Sequence, residues 1–394
     1  MLLWLLARES PVAVPFELHR SYSPLSDNVP IHWLAASAAA WRGVQVAGML
    51  AALCFTVGWW TRTAYVALVA ALLLTRLAWL HSSGQHDWVC PLAILVSLLI
   101  VPWGDGFSVD QWRHPTVDPE ARDPRYGFAL FAPVFVMGLA FAAAAYAKLT
   151  IGGLAWVTTG AVRYHFVDDA ETAATTWGLW IAAHPSVAVL VSAGAVALEA
   201  TWIATAWLRS ARLRLLAAAG ALSLFLGFYA FQGALWVPWM MWLAACLPWD
   251  GWRSLPSTPL RRAPAVMAGA AIAIQVVASL TAIEIEPLMS PYQMYSGTYA
   301  STQEFETRRR RKLQRVEMKT EIGTIDVHGG AADSLADAID GGPLNDDARE
   351  ALDSACAAAA AATVDVRVAR AKIDWSGTHV TRTWTRTDRS FACR

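Results

Sequence analysis

Phe128–Leu149 reads FALFAPVFVMGLAFAAAAYAKL, with no charged residue before Lys148. A bilayer-spanning helix needs roughly 20 consecutive apolar residues, and this run, taken as 127–149, supplies them. Similar apolar segments lie at 37–60, 63–81, 88–103, 186–208, 213–231, 233–249 and 264–284. Composition points the same way. Charged residues make up 16% and hydrophobic residues 56%, with a mean hydropathy of +0.37, whereas a soluble domain carries about 25% charged residues. The 21 Trp residues suit membrane–water interfaces, where an apolar ring can keep its N–H wet. The expected fold is an all-α polytopic membrane helix bundle of about eight hydrophobic segments, with a small C-terminal α+β extramembrane domain.

Lys and Arg in short loops set the orientation. Arg62, the loop with Arg209, Arg212 and Arg214, and the loop with Arg253, Arg261 and Arg262 all fit the cytoplasmic side. Segments 81–88, 150–185 and 287–394 then face outside, and the chain is expected to be a multi-pass protein of the plasma or inner membrane with an extracytoplasmic C-terminus. Residues 1–36 contain no full span; either Met1–Ala7 is the stub of a missing first helix, or the segment lies at the interface. The expected organisation is therefore 1–36 N-terminal segment, 37–286 transmembrane bundle and 287–394 outer domain.

In the tail, Val316–Val327 alternates like a strand, Leu335–Ala362 is Ala-rich and helical from near Asp333, and Val364–Ile373 and Thr378–Thr387 read as strands. The basic run Arg308–Lys312 reads as a solvated face or as a contact with lipid headgroups. With zero formal net charge overall, nucleic acid is not an expected partner. Cys54, Cys90 and Cys246 sit in apolar segments as small hydrophobes. Cys356 and Cys393 can form a disulfide if the tail faces an oxidising compartment. No CxxC or zinc-ligand spacing occurs, and no metal is expected.

Ionisable groups at membrane depth are costly and face a cavity or a partner. Lys148 ends an apolar run, so it either snorkels to the interface or is buried. Glu199 sits mid-span in VLVSAGAVALEATWIATAW and cannot snorkel far, so it is protonated or paired, in a functional or a purely structural role. Arg76 reads as an interfacial anchor, while His86 and Asp87 open the third segment.

Three stretches together resemble the "horizontally transferred transmembrane" (HTTM) domain, the membrane domain of vitamin K-dependent γ-carboxylases and bacterial relatives. The first is TRLAWLHSSGQHDW followed, after a span, by VPWGDGFSVDQW, whose Gly106–Asp110 turn matches the family's Gly-aromatic-Ser-hydrophobic-Asp. The second is Ala145–Phe166, where Tyr146, Lys148, Leu149, Trp156 and Gly160 fit the family pattern, and the third is Pro291–Gly297, PYQMYSG. The likeness covers roughly residues 16–300, and the family has a further helix before residue 16.

The resemblance implies a reduced vitamin K or menaquinone-type quinone as cofactor, with Lys148 as its base and His86 hydrogen-bonding a quinone or oxyanion. Tyr146, Trp156, Asp87, Arg76 and Glu199 would be cavity or structural groups. A base must be a neutral amine; burial favours that form, and a close Glu199 carboxylate would oppose it. Lys148 and His86 are expected to approach the outer side of one cavity. Two departures stand out: LGFYAFQGALWVPW (Leu226–Trp239) lacks the histidine that the carboxylases carry in a later span, and the tail is short beside their lumenal part. Three functions follow as expectations. The first is a quinone-linked membrane enzyme acting on a peptide or small substrate. The second is a non-catalytic membrane protein that presents its outer domain or helps a secreted peptide or membrane partner mature. The third is a transporter, for which no internal repeat speaks.

Overall fold

The computed structural model describes residues 37–79, 86–105, 108–113, 124–249, 262–281, 283, 285, 290–292, 296–299, 301, 303–305, 314–320, 323–327, 329–359, 363–376 and 379–393. The expectations for residues 1–36 and for Arg308–Lys312 lie outside these residues. Two helices, α1 (Ala38–Val57) and α2 (Thr61–Trp79), form an opening hairpin. The Ser37 hydroxyl caps the start of α1 by accepting from Ala40 N–H at 3.2 Å.

After α3 (His86–Ser97), the short α4 (Val109–Arg113) folds back under the α1–α2 turn. There Asp110 accepts from Trp60 N–H (2.9 Å), Thr61 N–H (2.7 Å) and the Thr61 hydroxyl (2.7 Å). It thus satisfies orphan donors at the start of α2 from a different part of the chain. These bonds hold the Asp110 carboxyl below the usual carboxylate range, the Thr61 N–H contributing most. Asp110, the last residue of the family-like stretch, therefore has a structural role.

The long α5 (Pro124–Ile151) runs through the middle of the bundle, with Val134, Phe135, Met137 and Phe141 buried. Its partners are α9 (Pro185–Thr201, prolonged by a 3₁₀ stretch to Trp207), α10 (Ala211–Gln232), α11 (Val237–Trp242, prolonged to Cys246) and α12 (Arg262–Thr281). Three short helices intervene before α9: α6 (Ala155–Thr158), α7 (Val162–Asp168) and α8 (Trp177–Ala183). Helices in lipid associate through packing and hydrogen bonds rather than escape from water. Phe141 of α5 accordingly meets Trp202 edge-on at 5.5 Å and Phe225 of α10 at 5.7 Å, and Phe225 meets Trp239 of α11 at 6.0 Å. Helices α5 and α9 approach closely because Gly138 has no side chain; a Cβ there would lie 2.6 Å from Ile203 Cα.

Among the described residues, five helical stretches are long and apolar enough to cross a membrane: Ala39–Val57, Thr61–Ala78, Gly127–Ile151, Pro185–Trp207 and Ala211–Gln232. The chain is thus mostly helical with several candidate membrane spans, and five of the eight expected apolar segments appear as such among the described residues. The segments at 88–103, 233–249 and 264–284 appear as shorter apolar helices, Asp87–Ile100, Val237–Cys246 and Ile272–Thr281. Two of these stop for a local reason. Val101 and Leu247 precede Pro102 and Pro248, and both are extended (ψ 138° and 160°); a following proline disfavours helical backbone. The segment 150–185 folds into α6–α8 with Trp156, Tyr164, Val167 and Leu179 buried.

The tail forms a four-stranded antiparallel sheet in the order β2-β1-β3-β4, made of β1 (Gln314–Thr320), β2 (Gly323–Val327), β3 (Thr363–Ser376) and β4 (His379–Ala392). Two helices, α13 (Gly329–Ile339) and α14 (Asp346–Ala359), cover one face. Val316, Met318, Val364, Val366 and Val368 alternate inward against Leu335, Ala348 and Leu352. Arg370 donates to Ala336 O (3.1 Å) and to Asp340, and Arg389 donates to Ala338 O, so two cations sit at the negative end of α13. A disulfide joins Cys356 of α14 to Cys393 after β4.

Candidate functional site

Lys148 lies near the end of α5 and Glu199 near the end of α9. The two helices are antiparallel, since Gly138 faces Ile203 while Lys148, ten residues later in α5, meets Glu199, four residues earlier in α9. Helical side chains lean toward their own N-terminus. Lys148 therefore reaches down along α5 and Glu199 up along α9, so they converge. Lys148 Nζ lies 2.9 Å from Glu199 Oε1 and 2.9 Å from Oε2. Both residues are buried, at 6% and 3% exposure. The snorkelling alternative for Lys148 is not what the chain adopts.

The surroundings of the pair come from α6 and α7. Trp156 is buried, with its ring centroid 5.5 Å from Lys148 Nζ, a cation–π distance. Gly160 sits at φ 65°, and a Cβ there would lie 2.9 Å from Val189 N, so only glycine lets α9 begin this close. The buried Ser192 hydroxyl of α9 accepts from Val162 N–H at 3.4 Å, tying α7 to α9. Gly152, just past α5, packs against Ser296 and Thr298, so the second and third family-like stretches touch.

Lys148 and Glu199 open onto a cavity of about 240 Å³ between α9, α10 and the α6–α7 segment. Trp156, Phe166, Leu198, Leu224, Phe228 and Phe231 make its walls mainly apolar, while Gly194, Gly220 and Gly227 keep it open. Ser223, His165 and Gln232 add polar groups. For scale, a cavity of ~150 Å³ lined by aliphatic and aromatic groups holds benzene, so this one has room for a two-ring head.

Among the expected site residues, Lys148, Glu199 and Trp156 come together. Tyr146 is 40% exposed and does not line the cavity. Arg76 is buried, with its guanidinium carbon 3.8 Å above the Trp88 ring. Asp87 is half-buried, and its carbonyl accepts from Trp239 Nε1 at 2.6 Å. Trp239 also stacks on Phe141 at 6.1 Å, about two turns before Lys148, so α3 starts at the Lys148 end of the bundle. His86 is the first residue of α3, and its side chain lies outside the described residues. Sequence reasoning did not single out His165, Ser192 or Gln232. Gln232 carried a signal, being a polar residue at the end of an apolar span.

The C-terminal domain reaches the same end of the bundle. Trp375 and Val380, beside the β3–β4 turn, pack with Tyr164, Val167, Leu179, Ala182 and Phe305. The Arg163 guanidinium carbon lies 5.6 Å from the Trp375 ring centroid and 5.2 Å from that of Tyr164. Helix α7 therefore faces the cavity through Val162, His165 and Phe166 and the C-terminal domain through Arg163, Tyr164 and Val167.

Comparison with family models, with curated proteins and with solved structures gave no match to this chain.

Proposed function

We propose that this is an HTTM-type membrane protein whose cavity binds the head of a lipid-soluble quinone in its reduced, hydroxyl-bearing form, and that it acts as a quinone-linked, carboxylase-like enzyme. The observation that carries this reading is the Lys148–Glu199 pair, buried yet opening onto an apolar cavity of about 240 Å³. A purely structural pair gains nothing from an adjoining cavity, and such pairs are weak sources of stability.

The pair changes the role expected of Lys148. Lys148 Nζ donates to both oxygens of the Glu199 carboxylate and is thus engaged as a donor. Glu199 is then the group that accepts a proton, at a carboxylate oxygen. Lys148, as the ammonium, holds the negative charge left on the donor oxygen. Trp156, Phe166 and Phe228 exclude water around this exchange. A bound hydroquinone would supply the acidic hydroxyl and the reducing electrons. The outer domain is proposed to be extracytoplasmic, a reading supported by the Cys356–Cys393 disulfide and by Arg62, Arg209, Arg212 and Arg214 at the opposite end of the bundle.

The test is mass spectrometry of lipids retained by the purified chain. Quinone-class lipid should accompany the wild type and be lost from Gly194→Leu, which fills the cavity. A wild type carrying no such lipid and binding none when it is supplied would favour the non-catalytic reading, in which the bundle serves to present the outer domain.

A further inference from the structure

The cavity has a second polar end. Gln232 closes α10, is 6% exposed and lines the cavity. Its Nε2 donates to Asp169 Oδ2 at 3.0 Å, and its backbone carbonyl accepts from the Thr172 hydroxyl at 2.8 Å. The amide therefore cannot turn over, because the reverse orientation would set its oxygen against the Asp169 carboxylate. Its Oε1 is buried and has no hydrogen-bond partner among the described residues. A buried acceptor left unpaired is costly, and the same amide is held in place by the N–H that Asp169 accepts.

From this geometry we infer that Gln232 is a specificity-determining residue, whose Oε1 accepts a hydrogen bond from a ligand in the cavity. This inference rests on reading the cavity as a ligand site. The ligand class is an apolar ring or chain molecule bearing a donor, a hydroxyl or an amine, at the Gln232 end. A molecule presenting only an ether, ester or ketone oxygen there would set acceptor against acceptor and be rejected. The discrimination is intrinsically strong, since a site built to hydrogen-bond a donor leaves its own polar group unpaired when the donor is missing.

The experiment uses the purified full chain in detergent and a matched pair of probes, 2-naphthol and 2-methoxynaphthalene, which share rings and differ in the donor. Wild type should bind 2-naphthol about tenfold more tightly, as one net hydrogen bond gives. Added to Lys148→Met/Glu199→Leu, which removes the pair's own hold on a hydroxyl, Gln232→Met should bring the two affinities to within about twofold. The double variant Lys148→Met/Glu199→Leu should keep the tenfold preference, because Gln232 is untouched. Equal affinities in wild type would overturn the inference. So would a preference that survives Gln232→Met and vanishes in the double variant, which would assign donor recognition to Glu199. If neither probe binds wild type, the cavity reading itself fails, and this inference with it.

Discussion

Lys148 and Glu199 meet because they sit on antiparallel helices and lean toward one another, placing Nζ 2.9 Å from both carboxylate oxygens. Removing one partner strands the other charge in a buried site. Glu199→Leu or Lys148→Met alone should destabilise the bundle by about 3–5 kcal/mol, while the double variant should melt near wild type. Thermal unfolding in detergent, completed as a double-mutant cycle, measures this.

Helix packing gives a contrast between two glycines. Gly138→Leu drives a Cβ to 2.6 Å from the Ile203 backbone, so the chain should fold poorly, and yield and melting temperature should both fall. At Gly194 a Cβ would meet nothing within 4 Å. Gly194→Leu should keep the melting temperature within a few degrees while losing ligand, as read by probe titration.

Asp110 supplies a pH dependence whose sign is fixed. Its folded carboxyl is depressed by the Thr61 and Trp60 donors and by Arg113. Its contribution is therefore fully present above the unfolded value of about 3.9 and is lost as pH falls through the lower folded value. Asp110→Ala should cost about 1 kcal/mol at neutral pH. It should also flatten the loss of stability below about pH 4, as followed by melting temperature against pH.

The Cys356–Cys393 disulfide closes a loop with a sequence separation of 37. By the chain-entropy relation, its loss should cost the outer domain about 4 kcal/mol. Cys356→Ser should lower the unfolding midpoint of the domain, and wild type with reductant should follow it. Unreduced protein on intact cells should resist a membrane-impermeant thiol reagent at both positions and become reactive only after reductant is added outside. Thiols reactive before reduction would contradict the disulfide, and thiols still unreactive after reductant is added outside would contradict the outward placement.

Trp375, with Val380, makes the contact between the C-terminal domain and α7. Trp375→Ala removes the ring beside Arg163 and should free the β3–β4 turn, raising amide exchange at residues 379–381 while β1 stays protected. Unchanged exchange would mean that other contacts hold the domains together.

The membrane bundle was legible because runs such as Phe128–Leu149 leave few other solutions, and the α+β tail because Val316–Val327 and Val364–Ile373 alternate. Span lengths were less legible. An apolar run does not reveal where Pro102 or Pro248 will stop a helix, nor that the segment from 150 to 185 packs as short helices. Lys148 and Glu199 stood out singly as charges in apolar runs. Their meeting depends on helix direction and on the approach at Gly138, which are tertiary facts. Gln232 was passed over because a polar residue at a helix end looks like an ordinary boundary until its amide is fixed by Asp169.

The central claim is that the Lys148–Glu199 pair is a ligand site rather than a strut. Its most direct measurement is an anaerobic titration of 1,4-naphthohydroquinone into wild type and into Lys148→Met/Glu199→Leu, two proteins expected to melt alike. Saturable binding in wild type, weakened at least tenfold in the double variant, is the predicted result. Equal affinity in the two proteins would contradict it.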